Sequence, residues 1–92
     1  MALSVAIFVG KSREWIPDLI AKANSFKVGP GHENADIAPV SYKELYERIH
    51  QLVGTAEKEG GKIILDGRSF KHPQYPKGYF IGPTIIDNVR IY

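Results

Sequence analysis

The sequence predicts an α/β fold with the element order β-α-α-β-β, and three observations carry that reading. Residues 5–9 are an unbroken run of Val, Ala, Ile and Phe that ends on Gly10, the pattern of a strand buried on both faces. Two later stretches repeat apolar residues at steps of three and four, the period of an amphipathic helix. Two further apolar runs, 62–65 and 78–86, stand between glycine and proline punctuation and read as strands. Two such helices and a two-faced strand need more sheet than three short strands supply. The chain therefore reads as a single partial domain over residues 1–92, with an incomplete, parallel-type sheet.

Composition narrows the classes. Hydrophobic residues make up 43% of the chain and charged residues 24%, which fits a globular protein and excludes a disordered tail. The net charge is +2, with Lys and Arg interspersed among Asp and Glu. No basic stripe results, so nucleic acid and anionic membranes are excluded as expected partners. The absence of cysteine removes a disulfide framework, thiolate zinc sites and a cysteine nucleophile within these residues. The apolar start lacks a basic leading region and an Ala-x-Ala cleavage pattern, and Ser4 interrupts it, so it does not read as a secretory signal. No apolar run approaches the ~20 residues that span a bilayer. The expectation is a soluble chain with no targeting segment.

Each element has its own justification. After the first strand, Ser12 stands as an N-cap and Pro17 falls in the tolerated early part of a helix over residues 13–26. Trp15, Ile16, Leu19, Ile20, Ala23 and Phe26 form its apolar face, and core packing is the expected role of Trp15. Residues 27–39 are a loop rich in chain-bending residues. Ser41 opens the second helix with Glu44 three residues on, the spacing of a capping box. Leu45, Ile49, Leu52, Val53 and Ala56 make the apolar face, and Gly60-Gly61 stops the helix. Residues 62–65 are a strand ending in an Asp66-Gly67 turn, and 68–77 a basic, proline-containing loop. Residues 78–86 are extended but broken or at an edge, because Pro83 cannot donate to a ladder.

No constellation of residues specifies chemistry by itself. Gly29-Pro30-Gly31 lacks the preceding strand and third glycine of a dinucleotide cradle, and Gly10-Lys11-Ser12 lacks the upstream glycine of a P-loop. A loop turn and a helix start are the plainer readings. His32, His50 and His72 have no partner at ligand spacing and read as surface histidines, His50 on the wet side of the second helix. Glu44, Glu47, Glu57 and Glu59 read as solvated helix carboxylates, with no pair set for acid–base work.

Five stretches taken together resemble one known family. They are residues 1–10 (Met-Ala-Leu-Ser-Val-Ala-Ile-Phe-Val-Gly), Trp15-Ile16-Pro17-Asp18-Leu19, Ala35-Asp36-Ile37-Ala38-Pro39, Leu65-Asp66-Gly67-Arg68 and Gly78-Tyr79-Phe80-Ile81-Gly82-Pro83-Thr84-Ile85-Ile86. In this order they look like the catalytic domain of aldehyde dehydrogenases, most specifically the CoA-acylating methylmalonate-semialdehyde dehydrogenases. The resemblance implies a parent enzyme of valine catabolism that oxidises an aldehyde to an acyl-CoA through a cysteine thioester, with NAD and CoA as cofactors. It also implies a homo-oligomer, in the mitochondrial matrix of a eukaryote or the cytoplasm otherwise.

In that family the catalytic cysteine immediately precedes the residue matching Met1. The general-base glutamate and the dinucleotide-binding part lie further upstream, and a Glu-Glu-Ile-Phe-Gly-Pro segment lies beyond the matched residues. No catalytic, cofactor-binding or metal residue is therefore carried onto this chain. The expectation is that it is inactive alone and binds neither NAD nor CoA by itself. Arg48 falls near a basic position that some relatives use beside the cofactor, and it is not carried over either. Ala38 departs from the family's glycine in its turn, and Arg90-Ile91-Tyr92 leaves the family pattern. The expected partners are the rest of a dehydrogenase catalytic domain or full-length subunits. The alternative is a non-catalytic interaction protein that docks on such subunits.

Overall fold

Pro17 decides where the first helix begins. Across residues 4–89, which the computed structural model describes, the chain enters a 3-10 turn at Gly10–Trp15 and passes directly into α1 at Ile16–Asn24. The proline occupies the first turn of α1, where a missing N–H costs nothing. The expected helix over 13–26 is thus split, its first residues wound more tightly. Ser12 does not cap it. The Ser12 hydroxyl and amide both donate back to the Val9 carbonyl, at 2.7 and 3.2 Å. Trp15 is 64% exposed and does not enter a core; Ile16 and Ile20 are half-buried and Ala23 is buried, while Leu19 and Phe26 stay exposed.

Residues 27–39 form the expected loop, stiffened by a 3-10 turn at Gly31–Glu33 and an isolated parallel bridge between Val28 and Ile37. The second helix, α2, spans Lys43–Lys58. Its N-cap is Tyr42, with no side-chain capping hydrogen bond, so the expected Ser41–Glu44 capping box does not form. Ser41 lies one residue outside the cap position, too far back for its hydroxyl to serve the first free amides. Val53 is buried and Leu45, Ile49 and Ala56 are half-buried, but Leu52 is 52% exposed and leaves the apolar face. The stop falls where expected: Gly60 takes φ +95°, and the Gly61 amide donates to the Ala56 carbonyl at 2.9 Å.

Strand β1 (Lys62–Leu65) pairs antiparallel with β2 (Ile85–Asp87), in the register Lys62↔Asp87, Ile63↔Ile86 and Leu65↔Ile85, with an irregularity between Ile63 and Leu65. The expected parallel-type sheet is therefore corrected to a two-stranded antiparallel ribbon. Only the end of the extended 78–86 stretch pairs, since the ladder opens after Pro83. The expected first strand is also absent: residues 4–9 lie outside any helix or strand, with Val5, Ile7 and Val9 at 72, 86 and 77% exposure. A strand needs a neighbour for its amides and carbonyls, and among the described residues the β1–β2 ribbon pairs only within itself. The parts of that expectation on residues 1–3, and the departure read at 90–92, lie outside the described residues.

The core is small. Ala23 of α1, Val28, Val53 of α2 and Phe80 are its buried apolar members, and no described side chain is less than 2% exposed. The radius of gyration is 14.2 Å, against about 12 Å for a compact domain of this length. The fold holds its loops together by specific polar contacts more than by a thick interior.

Candidate functional site

Two of the stretches singled out in the sequence meet in space. The Asp66-Gly67-Arg68 turn at the end of β1 packs on Gly82-Pro83-Thr84, just ahead of β2. The Gly82 amide donates to the Gly67 carbonyl at 2.9 Å, the Gly67 amide donates to Thr84 Oγ1 at 3.0 Å, and the Thr84 hydroxyl donates to the Gly82 carbonyl at 3.2 Å. A Cβ at Gly67 would overlap the Gly82 carbonyl, and one at Gly82 would stand 3.2 Å from Gly67 Cα. Glycine at both positions is what permits the approach.

Arg68 closes the turn. Its Nε reaches both Asp66 carboxylate oxygens at 2.9 and 3.0 Å, its Nη2 reaches Oδ2 at 2.6 Å, and its amide donates to Oδ1 at 3.0 Å. The guanidinium, then the Arg68 amide, hold the Asp66 carboxyl down at about 2, and the same bond raises the guanidinium. The other guanidinium nitrogen, Nη1, lies 3.6 Å from where a Cβ on Gly54 of α2 would be, so the pair lies against that helix. Beside it opens a cleft of about 230 Å³, with Phe26, Val28, Leu65 and Phe70 on its apolar side and Asp66 and Ser69 on its polar side.

His72 forms a second cluster. It is 9% exposed, against the expectation of a surface histidine, and packs its ring on Tyr75 and Phe80 at centroid distances of 5.1 and 5.3 Å. The Gln74 amide donates to His72 Nδ1 at 3.1 Å, so that nitrogen carries the lone pair and the proton resides on Nε2. Nε2 in turn faces Glu33 Oε2 at 3.5 Å, a buried oxygen with no hydrogen-bond partner. Metal ligation there would need the Nε2 lone pair, which this tautomer does not offer. Sequence spacing could not have shown the pairing, because thirty-nine positions without a shared period separate Glu33 from His72.

The other histidines divide. His32 is exposed. His50 is half-buried rather than on the wet side: its ring lies 4.4 Å from Tyr46, which in turn stacks at 5.6 Å on Tyr79, and its Nε2 is buried without a partner. Asp36 accepts from the Lys27 amide at 2.9 Å and closes the 27–37 loop. Arg13 Nη2 donates to Asp87 Oδ2 at 2.8 Å and ties the Gly10–Trp15 turn to β2. The Asn88 amide, then Arg13, lower the Asp87 carboxyl below its ordinary value. Arg48 stands exposed on α2.

These contacts hold loops; they do not assemble a nucleophile with a base. The hydroxyls of Ser12, Ser25 and Thr55 donate to backbone carbonyls, and neither clustered histidine is bonded to a hydroxyl. Among the described residues no three His, Asp or Glu side chains converge as a metal site would require. No helix among them is long and apolar enough to cross a membrane. The two glycine turns differ in their surroundings. Gly29 is hemmed in by the Glu33 carboxylate and His72, each 3.4 Å from its Cβ position, and the Ser12 amide after Gly10 is spent on Val9.

Comparison with known proteins gives these motifs a context. The model of the aldehyde dehydrogenase family matches residues 2–91. A protein of Anopheles gambiae, named as a probable mitochondrial, acylating methylmalonate-semialdehyde/malonate-semialdehyde dehydrogenase, is 50% identical over 90 residues. The Bos taurus protein of that activity, also mitochondrial, is 44% identical over 91. These matches cover 97 and 98% of this chain but 17% of each relative. The methylmalonate-semialdehyde dehydrogenase of Oceanimonas doudoroffii superposes with a TM-score of 0.82 at 30% identity, over 89% of this chain and 17% of that one. A Sinorhizobium meliloti structure named for the same activity and complexed with NAD also gives 0.82, at 35% identity, over 88 and 17%. The chain thus spans about 17% of the length of the relatives it matches.

Proposed function

This chain belongs to the aldehyde dehydrogenase family, and we propose that it is the part of a CoA-acylating (methyl)malonate-semialdehyde dehydrogenase that supports the strand leading away from the nucleophile. One observation carries the reading: the likeness to acylating relatives extends over nearly all of the chain. The meeting of Asp66-Gly67-Arg68 with Gly82-Pro83-Thr84 supports it, because it gives two separately read motifs one structural purpose. The activity of the whole enzyme is the NAD-dependent oxidation of an aldehyde to an acyl-CoA by way of a cysteine thioester. The seat is the mitochondrial matrix in a eukaryote and the cytoplasm otherwise.

The contribution of these residues is positional. The chain has no cysteine, so the attacking thiolate belongs to another part of the subunit. Arg13 with Asp87, Arg68 with Asp66, and His72 against Glu33 fix the loops on which the neighbouring strand rests. No step through NAD or CoA is assigned to any residue here. Alone, the chain is inactive.

Two measurements test this. The purified chain, free of host dehydrogenase, is expected to form no NADH from malonate semialdehyde, NAD and CoA above a buffer blank; turnover would overturn the assignment of the nucleophile elsewhere. Exchanging residues 2–89 into the matching part of the Oceanimonas doudoroffii enzyme is expected to leave a folded chimera with acylating activity. A folded but inactive chimera would overturn the family role. A second reading, docking on full-length dehydrogenase subunits, is favoured by the exposure of Val5, Ile7 and Val9, and co-purification with such a subunit would select it.

A further inference from the structure

Asp66-Gly67 is the one Asp-Gly pair in the chain; Asp18 and Asp36 precede Leu19 and Ile37. Glycine has no Cβ to shield its backbone nitrogen, so an aspartyl carboxyl carbon can close on that nitrogen as a five-membered ring. The fold occupies every group such a closure would use. The Gly67 amide donates to Thr84 Oγ1 at 3.0 Å, and the Gly67 carbonyl accepts from the Gly82 amide at 2.9 Å. The Asp66 carboxylate accepts from Arg68 Nε, Nη2 and the Arg68 amide. Gly67 is buried while Asp66 is exposed to water.

We propose that Asp66-Gly67 is a covalent modification site, at which succinimide and then isoaspartate form spontaneously, and that the folded turn holds it silent until the turn opens. In the closing step the Gly67 nitrogen bonds to Asp66 Cγ and gives up its proton, and one carboxyl oxygen leaves as water. A second water then opens the ring. Attack at the side-chain carbonyl restores aspartate; attack at the main-chain carbonyl leaves isoaspartate, its backbone running through Cβ and Cγ. One water is released and one consumed, nothing is oxidised or reduced, and the mass is unchanged.

The turn opposes closure in two ways. To reach Cγ the Gly67 nitrogen must leave Thr84 and rotate against Gly82, whose carbonyl a Cβ on Gly67 would already overlap. Water departs from the neutral acid, and the Arg68 guanidinium and amide keep the Asp66 carboxyl ionised by holding it at about 2. Against an ordinary aspartate near 4 that leaves about a hundredfold less neutral acid at pH 7. The pair is part-exposed and screened by solvent, so a tenfold effect is the realistic expectation. The consequence runs one way. Isoaspartate adds a carbon to the backbone ahead of Gly67, where the approach to Gly82 leaves no slack, so a converted turn does not reclose. The chemistry lies within one chain and does not depend on the enzymatic reading.

The test ages the purified 92-residue chain at neutral pH, with and without denaturing urea. The tryptic peptide 63–68, or 63–71 where Arg68 is replaced, is then resolved from its equal-mass isomer by chromatography. Conversion at Asp66 is expected to be at least about tenfold slower in the folded chain than in urea. Arg68→Gln, with its far-ultraviolet helix signal retained, is expected to convert about tenfold faster than wild type without urea. Thr84→Val is expected to gain about fivefold, the worth of one hydrogen bond. Asp18 and Asp36 serve as internal references and are expected to stay unconverted. Equal rates with and without urea would overturn the proposal, as would a folded Arg68→Gln chain converting at the wild-type rate. The urea contrast needs no variant, so it decides the matter even where a substitution unfolds the chain. The isolated isoaspartate form is expected to lose hydrogen-exchange protection at the Gly82 amide; unchanged protection would overturn the one-way consequence.

Discussion

Gly67 and Gly82 meet backbone to backbone, the Gly82 amide donating to the Gly67 carbonyl at 2.9 Å, yet the two positions are not equivalent. A Cβ at Gly67 would overlap the Gly82 carbonyl, whereas one at Gly82 would meet Gly67 Cα at 3.2 Å and the Phe70 side chain at 3.4 Å. Backbone cannot swing aside as a side chain can. Gly67→Ala is therefore expected to cost about 2–3 kcal/mol and Gly82→Ala about 1 kcal/mol. Urea titrations followed by the far-ultraviolet helix signal read both, and equal losses would refute the asymmetry.

Asp66 links the same turn to pH. Its carboxyl is held at about 2 by the Arg68 guanidinium and amide, below the ordinary carboxylate range. A group depressed in the folded chain contributes fully above its ordinary value near 4 and loses that contribution as the pH falls toward about 2. The turn is thus expected to be insensitive to pH from 7 to 5 and to loosen between about 4 and 2. Carbon NMR of the Asp66 carboxyl gives the midpoint, and Arg68→Gln is expected to return it toward the ordinary range. A wild-type midpoint near 4 would sink the pairing.

How much of this was legible in the sequence depends on how local each signal was. The 3.6-residue period of Leu45, Ile49, Val53 and Ala56 and the Gly60 stop located α2 closely, because periodicity and a positive-φ stop act over one element. The run Val5 to Val9 has an equally plain strand pattern, but pairing needs a second strand, and the ribbon here offers none. The Asp66-Gly67 turn was readable; that Arg68 folds back onto Asp66 was hinted only by their two-residue spacing. The meeting of Gly67 with Gly82, and of Glu33 with His72, is tertiary, and one sequence carries no trace of it. The aldehyde dehydrogenase likeness was visible because it rests on several stretches in order rather than on any single one.

His72 Nδ1 accepts from the Gln74 amide at 3.1 Å, which places the imidazole proton on Nε2. Nitrogen NMR at pH 8 is expected to show that tautomer, and the opposite one would refute the arrangement. His72→Ala removes a ring packed on Tyr75 and Phe80 and strands the Gln74 amide, at an expected cost of about 2–3 kcal/mol. His72→Asn keeps an acceptor where Nδ1 lies and is expected to recover about 1 kcal/mol of that loss. Equal losses for both variants would assign the whole effect to ring packing.

The start of α2 leaves stability unclaimed. Tyr42 is its N-cap with φ −157° and ψ 165°, the extended conformation a capping residue needs, yet its side chain makes no capping bond. The ring is 54% exposed, so removing it gives up little burial. A carboxylate at this position would accept from the free amides of the first turn and face the positive end of the helix. Tyr42→Asp is therefore expected to raise stability by about 1 kcal/mol above pH 5, and the gain to shrink as the new carboxyl protonates below about pH 4. Tyr42→Ala, which removes the ring without adding a cap, is the control. Chemical denaturation at pH 7 and pH 3 measures both. An aspartate variant no more stable than the alanine variant at pH 7 would show that the helix begins elsewhere.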